Sequence, residues 1–234
     1  MSMDYSSYTL RLTSFIVKEP SDLDYSVVIP ATIDAAEQRI YRELDLLDSV
    51  FVNSSSALTA GNRNFILPAT TNGIFITVQG LNVITPAGAQ PDAGTRVQLV
   101  PVSVSYLNSV WNSGTFRSVP KDFAMIRQDQ AIVGPWPDSN YFVEVIGTIR
   151  PNPLSASNTN TYLTQYLPDL FLAASMVFFS KAVLDYNGAT QGSPEWWESN
   201  YQAAFRSASL EELRKKYAGP GWTSLSSVPV TPTR

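Results

Sequence analysis

Residues 168–184 read Pro168-Asp169-Leu170-Phe171-Leu172-Ala173-Ala174-Ser175-Met176-Val177-Phe178-Phe179-Ser180-Lys181-Ala182-Val183-Leu184. A proline and an acid open the run, as suits a first helical turn: the proline has no amide to leave unpaired, and the carboxylate faces the positive end of the helix dipole. Leu170, Phe171, Ala173, Ala174, Met176, Val177, Phe178, Val183 and Leu184 then cover most of the circumference. A helix that is apolar nearly all round has to be covered on all sides, so this one is expected at the centre of a core. Tyr162, Leu163, Tyr166 and Leu167 lead into it, and Asn187-Gly188 offers a left-handed cap after it.

The elements that cover it are legible on both sides. Ser193-Pro194-Glu195 starts a helix with a cap residue, a proline and an acid, and Trp197, Tyr201, Ala204, Phe205, Ala208 and Leu213 form its stripe. Arg214-Lys215-Lys216 occupy its last turn, where cations oppose the negative end of the dipole, and Gly219-Pro220-Gly221 stops it. Neighbouring Trp196 and Trp197 are about 100° apart on a helix, so one is expected in the core and the other at its border or as an interface anchor. Near the N-terminus, Pro30 is placed as a first-turn proline, and Ile33, Ala36, Ile40, Leu44 and Leu47 recur at spacings of three and four, which predicts a helix to about Asp48. A shorter helix is expected within residues 7–17, followed by a turn at Glu19-Pro20-Ser21-Asp22.

Between these helical ends the texture changes. From residue 51 to 150, Gly, Pro, Asn and Thr punctuate short β-branched runs at 64–68, 74–79, 96–106, 131–134 and 141–150. Residues 131–134 and 141–146, joined by Pro135-Trp136-Pro137-Asp138-Ser139-Asn140, read as the best hairpin. Val119-Pro120-Lys121-Asp122-Phe123 reads as a connector or a single helical turn ahead of it, and residues 151–160 as a polar linker.

The expected fold is therefore α+β. A helical bundle is formed by N-terminal helices in 1–50 and C-terminal helices in 151–217, with an inserted antiparallel β lobe over 51–150 and an extended C-terminal arm over 218–234. The helical ends must pack together across the insert, because none can bury its stripe alone. The arm mixes Pro, Val, Ser and Thr and has too little apolar content to fold by itself.

Composition narrows the chemistry. The 234 residues contain no cysteine and no histidine, which removes disulfides, thiol nucleophiles, thiolate zinc sites, Ser-His-Asp triads and imidazole shuttles. Charged residues make up 15%, below the roughly one quarter of an average globular protein, and the net charge is -4. That balance opposes sequence-independent binding along a nucleic-acid backbone. No run is long and apolar enough for a membrane span, and residues 1–10 do not read as a signal peptide. No phosphate loop, dinucleotide fingerprint, nucleophile elbow or EF-hand loop is present, and no cofactor is expected.

Acids cluster at Asp22 and Asp24, at Glu43, Asp45 and Asp48, and at Glu211 and Glu212. A carboxylate-dependent hydrolase could use such a pair, but the clusters read more simply as solvated helix ends. Asn53-Ser54-Ser55 fits a glycosylation sequon and, without a secretory signal, reads as chance. Trp136 and Trp222 lie in loop-like contexts, where an aromatic side chain serves either a partner or its own turn. A carbohydrate- or receptor-binding module using the β lobe and these tryptophans is the alternative reading.

Taken in order, five stretches resemble one family. Ile29-Pro30 followed by Ala35-Ala36-Glu37-Gln38-Arg39-Ile40-Tyr41-Arg42-Glu43-Leu44 is similar to the "AE-x-R-I-x-R-E-L" helix of tailed-bacteriophage head-to-tail adaptor (connector) proteins. Val119-Pro120-Lys121-Asp122-Phe123 fits the same family. So does Gly134-Pro135-Trp136-Pro137-Asp138 leading into Tyr141-Phe142-Val143-Glu144-Val145. The remaining two are Leu154-Ser155 through Asn158-Thr159-Asn160 to Tyr166-Leu167-Pro168-Asp169-Leu170, and Trp197-Glu198 with Tyr201 and then Glu211-Glu212-Leu213. The likeness runs from about residue 8 to 217; residues 51–112 are longer and more irregular than the family pattern.

The resemblance implies a non-enzymatic virion protein of the podophage adaptor type. It would be assembled in the host cytoplasm into a ring, usually of twelve copies, beneath the portal, lengthening the DNA channel. Its implied partners are further copies of itself, the portal protein, a tail nozzle or tail-tube protein, tail fibres, and double-stranded DNA in transit, with no membrane. The arm along the portal would use Trp222, Leu225, Val228, Pro229, Val230 and Arg234. Glu37, Arg39, Arg42, Glu43 and Asp45 are candidates for the channel or the subunit contact, and Trp136 for a tail-facing loop.

Overall fold

A computed structural model describes residues 3–15, 23–183 and 192–217. Among them are six α-helices and two sheets, so the chain is α+β. It divides into two units, Met1–Leu47 with Pro153–Arg234, and Asp48–Asn152. The turn expected at 19–22, the cap at Asn187-Gly188, the stop at Gly219-Pro220-Gly221 and the arm from 218 lie outside the described residues.

In the first unit, helix α1 (Tyr5–Ser14) is opened by a capping box. Asp4 Oδ1 accepts from the Ser7 amide at 2.8 Å, and the Asp4 amide donates to Ser7 Oγ at 3.0 Å. Helix α2 spans Leu23–Glu43 and contains Pro30 in its interior. The first-turn reading of Pro30 is therefore corrected: the helix starts seven residues earlier and accepts the loss of one intrahelical hydrogen bond. It also ends before Asp48. Beyond Glu43 the 3.6-residue period lapses, so Leu46 is buried and Leu47, expected in the stripe, is exposed.

Helix α4 (Tyr162–Tyr166) starts at a Thr161–Thr164 capping box, and α5 (Pro168–Val183) starts at Pro168, as the sequence predicts. Helix α5 contacts α1, α2, α4 and the last helix, α6 (Pro194–Tyr217). Leu170, Phe171, Ala174, Met176, Val177 and Phe179 are all buried, which places α5 at the centre of the core. Phe178 only borders that core; Phe179 is the buried member of the pair. On α6, Ser193 Oγ accepts from the Trp196 amide at 3.2 Å, Trp197 is buried and Trp196 is exposed. The stripe runs Trp197, Tyr201, Ala208, Glu212: an acid, not Leu213, holds the last inward position, and Leu213 is exposed.

The second unit holds eight strands: β1 (Val50–Leu58), β2 (Asn64–Ile66), β3 (Gly73–Thr85), β4 (Thr95–Gln98), β5 (Val100–Pro101), β6 (Asp122–Arg127), β7 (Gln130–Gly134) and β8 (Tyr141–Pro151). One sheet has the order β1-β8-β3-β4 and the other β2-β7-β6-β5; every pairing is antiparallel except β5 with β6. Phe75, Leu81, Val83, Val143, Val145 and Ile149 from the first sheet share an apolar cluster with Phe65, Phe123, Ala131 and Val133 from the second. The alternation of a strand sends Ala124 and Ile132 to the opposite face, where they meet Leu107 of α3 (Val104–Val110). Gly134 permits that approach, since a Cβ there would lie 2.3 Å from the Trp111 ring and 2.6 Å from Leu107.

Two expectations are corrected in this unit, and a third is narrowed. The hairpin of 131–134 with 141–146 does not form: β7 pairs with β6 and β2, and β8 pairs with β1 and β3, so the proline-rich connector carries the chain from one sheet to the other. Residues 96–106 are two short strands followed by the start of α3, because Ser103 Oγ accepts from the Tyr106 amide at 3.1 Å and caps a helix there. Of the two readings of residues 119–123, the connector holds and the helical turn does not: they lead directly into β6.

Candidate functional site

The residues singled out on α2 point largely toward their own unit. Arg39 donates to both carboxylate oxygens of Glu198 on α6, at 2.7 and 2.6 Å, and from Nε to Glu43 at 3.0 Å. Its guanidinium lies 4.0 Å from the centre of the Tyr201 ring, and Tyr201 Oη donates to the same Glu43 at 2.6 Å. The Arg39 hydrogen bonds pull the Glu198 carboxyl down to about 2, while burial, followed by the Glu43 hydrogen bond, pushes the Tyr201 phenol well above its usual range. This planar fork against a carboxylate joins α2 to α6 with fixed geometry.

A second polar joint lies at the end of α6. Buried Glu212 accepts from the Leu47 amide at 3.0 Å, from Tyr162 Oη at 2.9 Å and from Lys215 Nζ at 2.9 Å. Burial works against its charge, but these three donors outweigh it and hold the carboxyl below the ordinary range. Lys215 also pairs with Glu211 at 2.7 Å, and Lys216 contacts Asp45, which is otherwise exposed. Sequence reasoning assigned Glu212 to a solvated acid cluster. The signal that marks it is its place four residues after Ala208 on an otherwise apolar stripe.

Glu37 is turned inward as well. It is 3% exposed, and both carboxylate oxygens lie 3.1–3.2 Å from the Leu154 amide, where the chain re-enters the helical unit. Burial raises its carboxyl to about 7 against the opposing Leu154 hydrogen bond, and the Asp34 charge adds to the rise. Arg42 remains exposed and donates to Gln38 at 3.1 Å. Of the five α2-region candidates, Arg42, Glu43 and Asp45 keep an outward surface.

Trp136 is half-buried. Its ring packs over Gly114, Arg63 lies 5.7 Å from its ring centre, and its carbonyl accepts from the Ser118 amide at 2.9 Å. These contacts pack it against neighbouring loops of the β unit. Trp222 and the other arm residues lie outside the described residues.

Apolar side chains face outward in both units. Leu210, Leu213 and Tyr217 form an exposed stripe on α6, and Ile66, Ile74, Ile76 and Ile126 are exposed on the β unit. Among the described residues no group of three acids is placed to hold a metal ion, and no helix is long and apolar enough to cross a membrane. Internal polar clamps with outward apolar faces describe a protein that works by contact with others.

The comparison with protein families agrees with that class. A family model described as SU10 adaptor protein matches residues 3–224, and the chain belongs to this family of phage head-to-tail adaptor proteins. No curated protein matches it. Membership makes the chain a structural component of a phage virion that associates with portal and tail components.

Proposed function

We propose that the chain forms a ring, with the family's usual twelve copies, that joins the portal to the tail and lengthens the DNA channel. The observation that carries this reading is the family match across nearly the whole chain, covering both units. The work is assembly and not bond chemistry. Closed rings repeat one subunit contact, and docking on a preformed portal multiplies weak contacts through effective concentration.

Physical features support the reading. A net charge of -4 per chain sums to about -48 over twelve copies, and an acidic ring repels DNA phosphate, so the genome slides without sticking. The outward Arg42, Glu43 and Asp45 are candidates for the channel wall or the subunit contact. Residues 218–234 are the segment proposed to reach along the portal; Pro229 and Pro232 limit the entropy lost on docking extended. Electron microscopy of the purified protein mixed with purified portal tests the reading: rings stacked on the portal are expected, and a portal left bare at saturating protein contradicts it.

A further inference from the structure

Helix α6 carries two stripes. One faces the core through Trp197, Tyr201, Ala208 and Glu212. The other lies on the outward side, where Leu210, Leu213 and Tyr217, spaced by three and four, are between 45% and 59% exposed. With Arg214 they line a hollow of about 450 Å³. Further back on the same side Ala203 is exposed, seven residues before Leu210, as Leu210 is seven before Tyr217. Seven residues rise about 10.5 Å along a helix.

Residues 218–234 follow directly from this stripe and lie outside the described residues. They open with Gly219-Pro220-Gly221, residue types suited to a chain reversal. Trp222, Leu225 and Val228 then recur at every third residue, with only Thr and Ser between them. A polyproline II strand has three residues per turn and rises about 3.1 Å per residue, so these three side chains would share one edge at intervals of about 9 Å. Pro229, Pro232 and the absence of charge before Arg234 suit that conformation. The two intervals match closely enough for a returning strand to lay Trp222 in the hollow beside Tyr217, Leu225 on Leu210 and Val228 on Ala203. Arg214, on the wall of the hollow, offers its guanidinium to an indole, the best aromatic partner of a cation.

Area and charge favour this segment over a separate molecule. Three side chains over two turns cannot supply the roughly 800 Å² per partner of a stable contact between free proteins. A segment tethered at Tyr217 acts at an effective concentration on the order of millimolar and needs no such area. A second copy of α6 packed antiparallel about the middle of the helix would set exposed Arg206 against its counterpart, like charge on like. We propose that in the unassembled chain residues 222–228 fold back, within the same molecule, as an extended strap over the outward face of α6. Ordering the strap offsets most of what its apolar contacts gain, so it peels away well below the melting of the helical unit, and the fold does not depend on it. The strap covers the stripe until the arm is drawn to the portal. That consequence rests on the reading of residues 218–234 as the portal arm; the strap itself does not.

The chain has no cysteine, so engineered pairs report the register directly. The test uses the purified full chain, dilute and under mild oxidation, with folding judged by circular dichroism. L210C/L225C is expected to close a disulfide within one molecule at least fivefold faster than L210C/S224C, whose second thiol lies off the shared edge. A203C/V228C against A203C/S227C is a second, independent comparison with the same expected ratio. L213S/Y217S, which empties the hollow, is expected to abolish the ratio in the second comparison. Equal rates for on-edge and off-edge pairs, a disulfide formed between molecules in preference to within one, or a ratio that survives L213S/Y217S would overturn the proposal. Rates that show no strap in a chain whose truncation at residue 218 blocks incorporation into particles refute this proposal alone. Rates that show the strap in a chain whose truncation leaves incorporation normal support it and refute the portal arm.

Discussion

Arg39 on α2 and Glu198 on α6 meet through two parallel hydrogen bonds, Nη1 to Oε2 at 2.7 Å and Nη2 to Oε1 at 2.6 Å. The whole β unit separates them in sequence. The pair therefore ties the helix before the insert to the last helix after it.

Arg39→Ala should destabilise the chain by about 2 kcal/mol, since Glu43 and Tyr201 lose a partner along with Glu198. The double-mutant coupling with Glu198→Ala should be smaller, about 1 kcal/mol, because both side chains keep some contact with water. Glu198 titrates at about 2 when folded, so its contribution is present above the ordinary glutamate range and is lost as pH falls toward 2. Urea denaturation at pH 7 and pH 3 checks both points: the Arg39→Ala penalty should shrink at the lower pH.

Glu37 has the opposite sign. Its folded carboxyl titrates at about 7, above the unfolded value, so the folded state holds the extra proton. Its stabilising effect is complete below the unfolded range and is lost as pH rises through 7. The shift corresponds to at most about 3 kcal/mol. Glu37→Gln keeps an acceptor for the Leu154 amide and should flatten stability between pH 5 and pH 8, with the variant the more stable at pH 8. Parallel curves for variant and native protein would contradict this.

Phe171→Ala and Phe179→Ala should each cost about 3–5 kcal/mol, as both rings are fully buried and Phe171 stacks on Tyr8 at 4.5 Å. Phe178→Ala should cost clearly less, since its ring only borders the core. The urea midpoints of the three variants give the order.

These contrasts show where the sequence was informative. Pro168, Ser193 and the Trp196–Trp197 pair act through local rules of capping and helix geometry, and each was legible. Ile33, Ala36, Ile40 and Leu44 kept their period and were all buried. Pro30 misled because a proline marks a first turn by preference, and tertiary packing overrode the preference here. The β7–β8 hairpin misled because turn chemistry says how a chain bends, not which sheet receives the next strand. Glu37 was read as an acid of the channel or subunit contact, Glu212 as a solvated helix-end acid, and Glu198 only as part of a family-like stretch. Their partners, the Leu154 amide, Arg39 and Tyr162, lie 50 to 159 residues away, beyond any local pattern.

Removing residues 218–234 should leave the helical and β units folded, with unchanged circular dichroism and melting temperature, while abolishing incorporation into portal-containing particles. Normal incorporation of the shortened chain would show that the portal contact lies elsewhere.

The central claim is that this chain is a fixed joint of the virion, present once per portal subunit. Quantitative mass spectrometry of purified particles, with the portal protein as internal reference, measures this directly. The account predicts equal copy numbers of the two proteins, twelve of each for a twelve-fold portal; a chain that is absent from particles, or present at a small fraction of the portal count, contradicts it.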